Sequence, residues 1–485
     1  MPKIIYDNDA HSAARALFLE NGKGAALDST PPRISMLSTE LLATIFEAGC
    51  VSIKDGHLSK PPFPITVSHV SRYWRSVAHH THRLWTSVTL DSGRRHNLEV
   101  CAGYIRRTGA LPLELSIRLW EPTSLYRRSS ENLDMAVSVC SLIFPHIDRC
   151  RSLRVWTDWS AGLLYMSQNM PTRASLLETL EIYLEVSEAG LAMGGTTEPS
   201  RLFTGGTPAL RSVLLKGVNT QHSCLAPLFT VTTLQIHTPI SSLRCDGKAW
   251  GELATLSHLV INNADFDWVA LGSFELATLT TLHLNYVPNL VDLLISLDAP
   301  LLSLLYMDPV VDDEMRTIIS TPSLRAKYPR LRSLTLGLFA DASISGDMWA
   351  EFMDVFPTVE HFTLLRHEPK TLLHSLSSSP GAWPALRKLS LPEGRRACDL
   401  ASVLSRRFAD DCPIREVQLS SLIVQSLGED ALKEARSIAE VEECNVCTTL
   451  EGDGYVVKWL EGNERDEDED EDDAQYAEGN LTTSA

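Results

Sequence analysis

The sequence contains no long apolar run and no apolar stretch at its amino terminus. Nowhere do apolar residues approach the roughly 18 in succession that a membrane-spanning helix needs. The first residues, MPKIIYD, lack the apolar centre of a secretory signal peptide. We therefore expect neither membrane insertion nor secretion, and a cytoplasmic or nuclear location.

Motifs that carry catalysis are also missing. The chain has no phosphate-binding glycine loop followed by Lys-Ser or Lys-Thr, no dinucleotide glycine pattern, no His-Glu-x-x-His helix and no Gly-x-Ser-x-Gly turn. A short cluster of His79, His80 and His82 is more typical of a solvated turn than of a metal site. We expect a protein without enzymatic activity, cofactor or bound metal.

Cysteine pairs with the spacing of a zinc site are scarce. The ten cysteines lie at irregular intervals, and the pair Cys444 and Cys447 has no second pair with which to complete a four-cysteine site. Because the chain lacks a secretory signal, we expect the cysteines to be reduced and mostly buried.

Positive charge is in short supply as well. The formal net charge is −18, and residues 464–473 hold nine acids and one arginine. Binding to nucleic acid requires a basic surface, so we expect no nucleic-acid partner. The acidic run and the small polar residues after it predict a disordered tail over residues 461–485.

What the sequence does contain is a recurring pattern: an apolar residue, two variable residues, an apolar residue, one variable residue and another apolar residue. LTTLHL at 279–284 and LRSLTL at 331–336 are clear copies. The central apolar residues lie 21 to 33 positions apart, at Leu153, Leu180, Val213, Leu234, Leu259, Leu282, Leu305, Leu334, Phe362, Leu389 and Val417. Earlier members could be Val88 and Leu115. The spacing is typical of leucine-rich repeats, in which each strand buries one face only by stacking on its neighbours.

Between these strands the pattern predicts helices. Ser345 precedes one apolar stripe, a second stripe begins at Leu400, and a last helix is expected at 428–439, followed by a strand or cap at 455–460. The two stripes are Met348, Trp349, Phe352 and Phe356, and Leu400, Val403, Leu404 and Phe408. The predicted fold is α/β: a curved solenoid of parallel strands and helices over residues 91–460. An unrelated α/β domain with similar-looking parallel strands is the alternative.

Residues 34–90 follow a different pattern and predict a small helical module. Ser38 is placed to cap a helix whose apolar face carries Leu41, Leu42, Ile45 and Phe46. A later stretch predicts a second stripe of Val67, Val70, Trp74 and Val77. Because so short a module buries little surface, it should keep apolar groups for a partner. Residues 1–33 are predicted to be an arm, partly disordered, with a possible helix at 9–20.

This stretch resembles the F-box, the helical module by which substrate receptors dock onto the Skp-type adaptor of a cullin–RING ubiquitin ligase. The F-box pattern runs Leu-Pro, Glu-Leu-Leu and Ile-Phe, then Val, Trp-Arg and Ala, then Leu-Trp. The matching positions here are Leu37, Glu40, Leu41, Leu42, Ile45, Phe46, Val70, Trp74, Arg75, Ala78, Leu84 and Trp85. Ser38 replaces the usual proline, and the connection at 49–64 is longer than usual. The array likewise resembles the irregular leucine-rich repeats behind many fungal and animal F-boxes.

The resemblance implies a non-catalytic subunit of an SCF-type ligase that binds the Skp-type adaptor and recruits a target protein for ubiquitylation. The matching positions other than Ala78 would then contact the adaptor. One alternative is a leucine-rich-repeat scaffold that acts outside any ubiquitin ligase. Another is an enzyme on an α/β fold.

The variable residues of the predicted strands point away from the core and should line the concave face, which repeat proteins use for binding. The predicted target-binding residues on this face are Gln235, His258, Val260, His283, Tyr306, Thr335 and Thr363. The histidines at 237, 258, 283 and 361 raise the hypothesis of a pH-dependent target site. Chance alignment of these histidines is the competing explanation.

Overall fold

The structure is a computed structural model that describes twelve segments of the chain. They are residues 37–51, 62–92, 97–120, 129–185, 202–217, 227–237, 253–263, 268–325, 327–339, 342–379, 381–394 and 399–444. The predicted arm, the predicted strand or cap at 455–460 and the predicted acidic tail lie outside these residues. The chain divides into two compact units, one of residues 1–87 and 103–111, and the other of 88–102 and 112–485.

The described elements alternate between helices and short strands. The helices are α1 Thr39–Val51, α2 Phe63–Val70, α3 Arg72–His80, α4 Asn97–Arg107, α5 Ser129–Ile143, α6 Ser160–Asn169, α7 Trp268–Leu271, α8 Leu290–Ser296, α9 Asp312–Ser320, α10 Gly346–Val355, α11 Lys370–Ser378, α12 Leu400–Ala409 and α13 Ser421–Ile438. The strands are β1 Ser87–Asp91, β2 Leu113–Leu119, β3 Cys150–Thr157, β4 Thr179–Leu184, β5 Ser212–Lys216, β6 Thr233–His237, β7 His258–Asn262, β8 Phe274–Glu275, β9 Thr281–Asn285, β10 Leu297–Asp298, β11 Leu304–Val310, β12 Ser333–Leu338, β13 His361–Leu365, β14 Lys388–Leu391, β15 Glu416–Ser420 and β16 Glu440–Cys444.

The first unit is a small bundle of short helices. The Ser38 hydroxyl accepts a hydrogen bond from the Leu41 amide at 3.3 Å, so Ser38 caps α1 as predicted. The prediction of one continuous stripe across residues 67–77 is wrong, because the chain breaks at Ser71. That residue is extended, and its hydroxyl caps α3 by accepting from the Trp74 amide at 3.1 Å.

The core of this unit is built from large side chains on several helices. Its buried side chains include Leu42, Phe46, Val67, Val77, Leu84 and Trp85. The Trp85 indole N–H donates to the Ala78 carbonyl at 2.8 Å, and its ring lies 4.8 Å from the ring of Tyr104. Because the indole N–H has this partner, Trp85 can be buried at little polar cost.

The second unit is organised by one long sheet. Among the described residues, fourteen strands follow one another in chain order, and every pairing from β2 onward is parallel. The predicted central apolar residues are partners in register across the sheet: Leu153 pairs with Leu180, Leu180 with Val213, and so on to Leu389 with Val417. The solenoid of parallel strands and helices is therefore observed.

Alternate residues along the strands form the buried face of the sheet. In β7 and β9 the alternate residues are buried, Leu259 and Ile261 in one and Leu282 and Leu284 in the other. A larger aromatic cluster lies further along, where ring centroids are 4.5 to 6.5 Å apart among Trp349, Phe352, Phe356, Phe362 and Trp383. Each such ring adds about 1.5–3 kcal/mol by burial.

Hydroxyl side chains tie neighbouring repeats together at the edge where the strands begin. Thr255 Oγ1 donates to the Phe229 and Val231 carbonyls at 3.0 and 2.9 Å, and Thr278 does the same to Ala254 and Leu256 one repeat later. The apolar pattern does not predict these contacts, because each threonine lies one residue before the first apolar residue of the pattern.

Three details of the predicted elements are corrected. Phe408 is 65% exposed, because the buried stripe of α12 continues through Arg407. The helix predicted to begin at 428 begins at Ser421, and Gly428 is a break inside it with φ 74°. Beyond β15 a further strand, β16, pairs Val441 with Val417. Its sequence, EVEEC, does not show the apolar alternation of the other strands.

Candidate interaction surfaces

The predicted adaptor-binding residues of the helical unit divide by exposure. Leu42, Phe46, Leu84 and Trp85 are buried and form the core of the unit, so their side chains offer no surface to a partner. Leu37 and Trp74 are half-buried. Glu40 and Arg75 are exposed polar residues, and Leu41, Ile45 and Val70 are apolar residues that are 57%, 51% and 58% exposed.

Leu41 and Ile45 are separated by one helical turn, so they lie on one face of α1. Tyr73, which the sequence did not single out, is 38% exposed, and its hydroxyl donates to the Leu37 carbonyl at 3.0 Å. This bond links α3 to the start of α1. Arg75 Nε donates to the Ser68 carbonyl at 2.9 Å and so joins α3 to α2. We call Leu41, Ile45, Val70 and Tyr73 the helical patch.

The open face of the sheet carries the predicted target-binding residues. Successive register partners place six of the seven in one row that crosses the strands: Gln235, Val260, His283, Tyr306, Thr335 and Thr363. His258 lies in the neighbouring row, where it pairs with Thr281. Gln235 is only 8% exposed, so it contributes little to an accessible surface.

The four histidines do not form one strip. His258 and His361 lie in one row and His283 in the next, and His237 lies in a third row, where it pairs with Asn262. His237 is also buried, and burial, assisted by the charge of Lys216, lowers its pKa to about 4. The register therefore does not support the hypothesis that these four histidines form one pH-dependent target site.

This burial predicts how His237 affects stability. In the unfolded chain the imidazole titrates near its ordinary pKa of about 6.5, so the unfolded state binds the proton first as the pH falls. The contribution of the neutral, buried His237 to the free energy of unfolding is complete above pH 6.5. It should be lost as the pH falls from about 6.5 to 4. We expect His237→Asn to reduce the slope of unfolding free energy against pH in this window, measured by urea denaturation. An equal reduction in the control His258→Asn would contradict this reading.

A polar cluster occupies the open face where β9, β11 and β13 end. The rings of His283 and Tyr306 are stacked with centroids 5.3 Å apart. Tyr306 donates its hydroxyl to the Asp308 carboxylate at 3.1 Å. Arg366 forms a 3.0 Å ion pair with the same carboxylate and donates to the Tyr286 hydroxyl at 3.0 Å. We call Tyr286, Tyr306, Asp308 and Arg366 the strand-end cluster.

Glycine makes room for this cluster. A Cβ atom on Gly337 of β12 would lie 2.0 Å from Asp308 Oδ1. Burial raises the pKa of the Asp308 carboxyl, while the charge of Arg366 opposes that rise. The sequence could have indicated Asp308 by its place in the row, but Tyr286 and Arg366 follow their strands in left-handed conformation, with φ 49° and 57°. The apolar pattern of the strands makes no prediction for residues that follow a strand.

At β2–β4 the open face carries aromatic and charged side chains. Trp156 and Tyr183 are register partners whose rings stack at 4.9 Å. The guanidinium groups of Arg118 and Arg154 lie 5.1 and 5.2 Å from the Trp156 ring. Arg154 also pairs with Glu181 through two nitrogens, which raises the pKa of Arg154. Most of these aromatic rings and charged groups therefore already have a partner within the group.

The described residues also bear on metal sites, membrane spans and reactive thiols. No group of three or more His, Cys, Asp or Glu in that part of the chain could hold a metal ion. Within the same residues, no helix combines the length and apolar composition needed to cross a bilayer. Burial raises the pKa of the Cys101, Cys140 and Cys150 thiols to about 12, so these thiols are unreactive at neutral pH.

Comparison with known proteins adds little to this description. No protein-family model matches the chain, and no curated protein matches it. Among solved structures, it is similar to the leucine-rich repeat-containing protein LegL7 from Legionella pneumophila. The identity is 14% and the TM-score 0.28, over 74% of this chain and 88% of that one. The repeat architecture therefore rests on the register of the sheet itself.

Proposed function

We propose that this protein is a non-catalytic interaction scaffold that serves as the substrate-recruitment subunit of a cullin–RING ubiquitin ligase. In this proposal the helical unit binds the Skp-type adaptor, and the open face of the repeats binds a target protein. The observation that carries the first part is the helical patch: its members Leu41, Ile45 and Val70 match the F-box pattern and are more than half exposed on a unit with its own core.

Burial energetics support docking through this patch. Covering a Leu, Ile or Val side chain contributes roughly 1.5–3 kcal/mol when it is fully removed from water. Leu41, Ile45 and Val70 thus supply enough apolar area for the centre of a small interface, with Glu40 and Arg75 as charged neighbours. The buried members of the F-box pattern would act indirectly by holding these side chains in place.

Target binding is proposed for the row from Val260 to Thr363 on the open face. Its accessible centre combines two stacked rings, His283 and Tyr306, with the hydroxyls of Thr335 and Thr363. Aromatic side chains, and tyrosine in particular, are enriched at protein-binding surfaces. The second candidate function, a repeat scaffold that acts outside a ligase, uses the same face but requires no adaptor.

Adaptor binding is the experiment that separates these functions. We expect Leu41→Asp with Ile45→Asp to abolish capture of a purified Skp-type adaptor, because two charges would be buried at the interface centre. Both side chains are exposed, so far-ultraviolet circular dichroism and the melting curve should change little.

The matched control is Phe408→Asp with Leu422→Asp, which adds the same charge at side chains that are 65% and 53% exposed in the second unit. This control should retain adaptor binding. If the wild-type chain does not bind the adaptor, or if the Leu41 and Ile45 variant binds it as well as wild type, the ligase assignment is wrong and the scaffold reading stands.

A further inference from the structure

One row of residues runs along the edge where the strands begin. Each residue in it lies directly before its strand or at the start of it, and its amide donates to the carbonyl of the row member one repeat earlier. Near the carboxyl-terminal end of the sheet, Glu360 bonds to Arg332, Arg387 to Glu360, Arg415 to Arg387 and Glu440 to Arg415, at 2.7 to 2.8 Å. The backbone thus places the three arginines at the start of β12, β14 and β15.

This edge is basic in an otherwise acidic protein. Arg330, Arg332, Arg387 and Arg415 are exposed, and we call them the arginine edge. Arg332 lies 3.6 Å from Glu360, and the neighbouring Lys388 lies 3.3 Å from Glu416. Within the segments that the structure describes, Arg330, Arg387 and Arg415 form no ion pair. Three cations are therefore available to an anionic occupant, and the acidic side chains beside them are those of Glu360 and Glu440 in the row and of Glu416, which follows Arg415.

We propose that the acidic segment of the same chain, residues 464–473, docks on the arginine edge. The segment carries nine acids and one arginine and accounts for much of the net charge of −18. Its charge is opposite to that of the edge. This proposal does not depend on the ligase function, because it concerns only the second unit and the tail.

The length of the connection fits this arrangement. The last described strand, β16, ends at Cys444, and nineteen residues, 445–463, lead to the acidic segment. The sheet is parallel, so the arginine edge lies one strand length from Cys444, about 17 Å, and at most a few strands of about 4.8 Å to the side. A chain of nineteen residues can span up to about 63 Å when it is fully extended. The segment can therefore reach all four arginines.

The occupant is expected to come from the same chain because a tethered segment is present at high local concentration. An exposed ion pair contributes at most about 1 kcal/mol, so a separate acidic peptide would bind weakly. A short tether presents the segment at a local concentration in the millimolar range, which is enough for several weak pairs to form together.

The test is carbodiimide coupling in the full-length protein, which joins carboxyl groups to amines in direct contact. Arg387→Lys with Arg415→Lys keeps the charge of the edge and supplies reactive amines. The control, Arg151→Lys with Arg211→Lys, supplies two amines in the same row at β3 and β5. The nearer control position lies seven strands from β14, about 34 Å along the sheet.

Mass spectrometry should find peptides from residues 464–473 joined to positions 387 and 415, at least about fivefold more often than to positions 151 and 211. Raising the salt to about 0.5 M should reduce this coupling, because screening shortens the reach of exposed charges. Equal coupling at the two pairs of positions would overturn the proposal. So would coupling mainly between two molecules in a mixture of isotope-labelled and unlabelled protein.

Discussion

Arg407→Ala should lower the free energy of unfolding by about 3–5 kcal/mol, the largest effect that we expect from one substitution outside the aromatic core. The Arg407 guanidinium is 1% exposed and donates to three backbone carbonyls, those of Ala382 and Trp383 at 2.8 Å and of Cys412 at 3.2 Å. Burial lowers its pKa. Truncation would leave the Ala382 and Cys412 carbonyls without this donor, while the Trp383 carbonyl would keep its bond from the Leu386 amide, and it would open a cavity beside Trp383.

The control for this prediction is Arg406→Ala on the same helix, at an exposed side chain. We expect that change to stay within about 0.5 kcal/mol. Urea denaturation followed by tryptophan fluorescence gives both values. Similar losses in the two variants would show that the carbonyl contacts of Arg407 do not stabilise the repeat.

Gly337→Ala should destabilise the second unit by about 2–3 kcal/mol. The new methyl group would meet Asp308 Oδ1 at 2.0 Å and Asp308 Cγ at 2.4 Å, so the carboxylate would have to move. That movement would break the ion pair with Arg366 and the hydrogen bond from Tyr306, and the strand-end cluster would lose its centre.

A double-mutant cycle tests this cause. Asp308→Ala removes the two closest atoms, Oδ1 and Cγ, and leaves only the Asp308 Cβ at 2.8 Å, so Gly337→Ala should cost much less when it is made in the Asp308→Ala background. The same cycle applied to target capture would show whether the strand-end cluster shapes the binding face. If the Gly337→Ala loss is the same in both backgrounds, the clash with Asp308 is not its cause.

The helical unit shows which structural features a local sequence pattern can predict and which it cannot. Ser38 was correctly assigned as a cap because an N-cap depends on the few residues that follow it. The break at Ser71 was missed, because Val67, Val70, Trp74 and Val77 fit one helical stripe equally well. Pattern also does not decide which apolar residues a small unit keeps exposed. Phe46 and Ile45 are alike in sequence terms, yet one is 1% exposed and the other 51%.

The strands of the long sheet from β3 to β15, and their partners, were determined by the sequence itself. A period of about 25 residues and an alternation of two specify both where each strand lies and which residue meets which, since a slip of one residue would expose every buried leucine. What only the tertiary structure decided are contacts between residues that the pattern leaves variable. Arg366 meets Tyr286 from 80 positions away, and four arginines form an edge because strands that are distant in sequence begin side by side. Such contacts depend on side-chain reach and on the space left by Gly337, which no local period encodes.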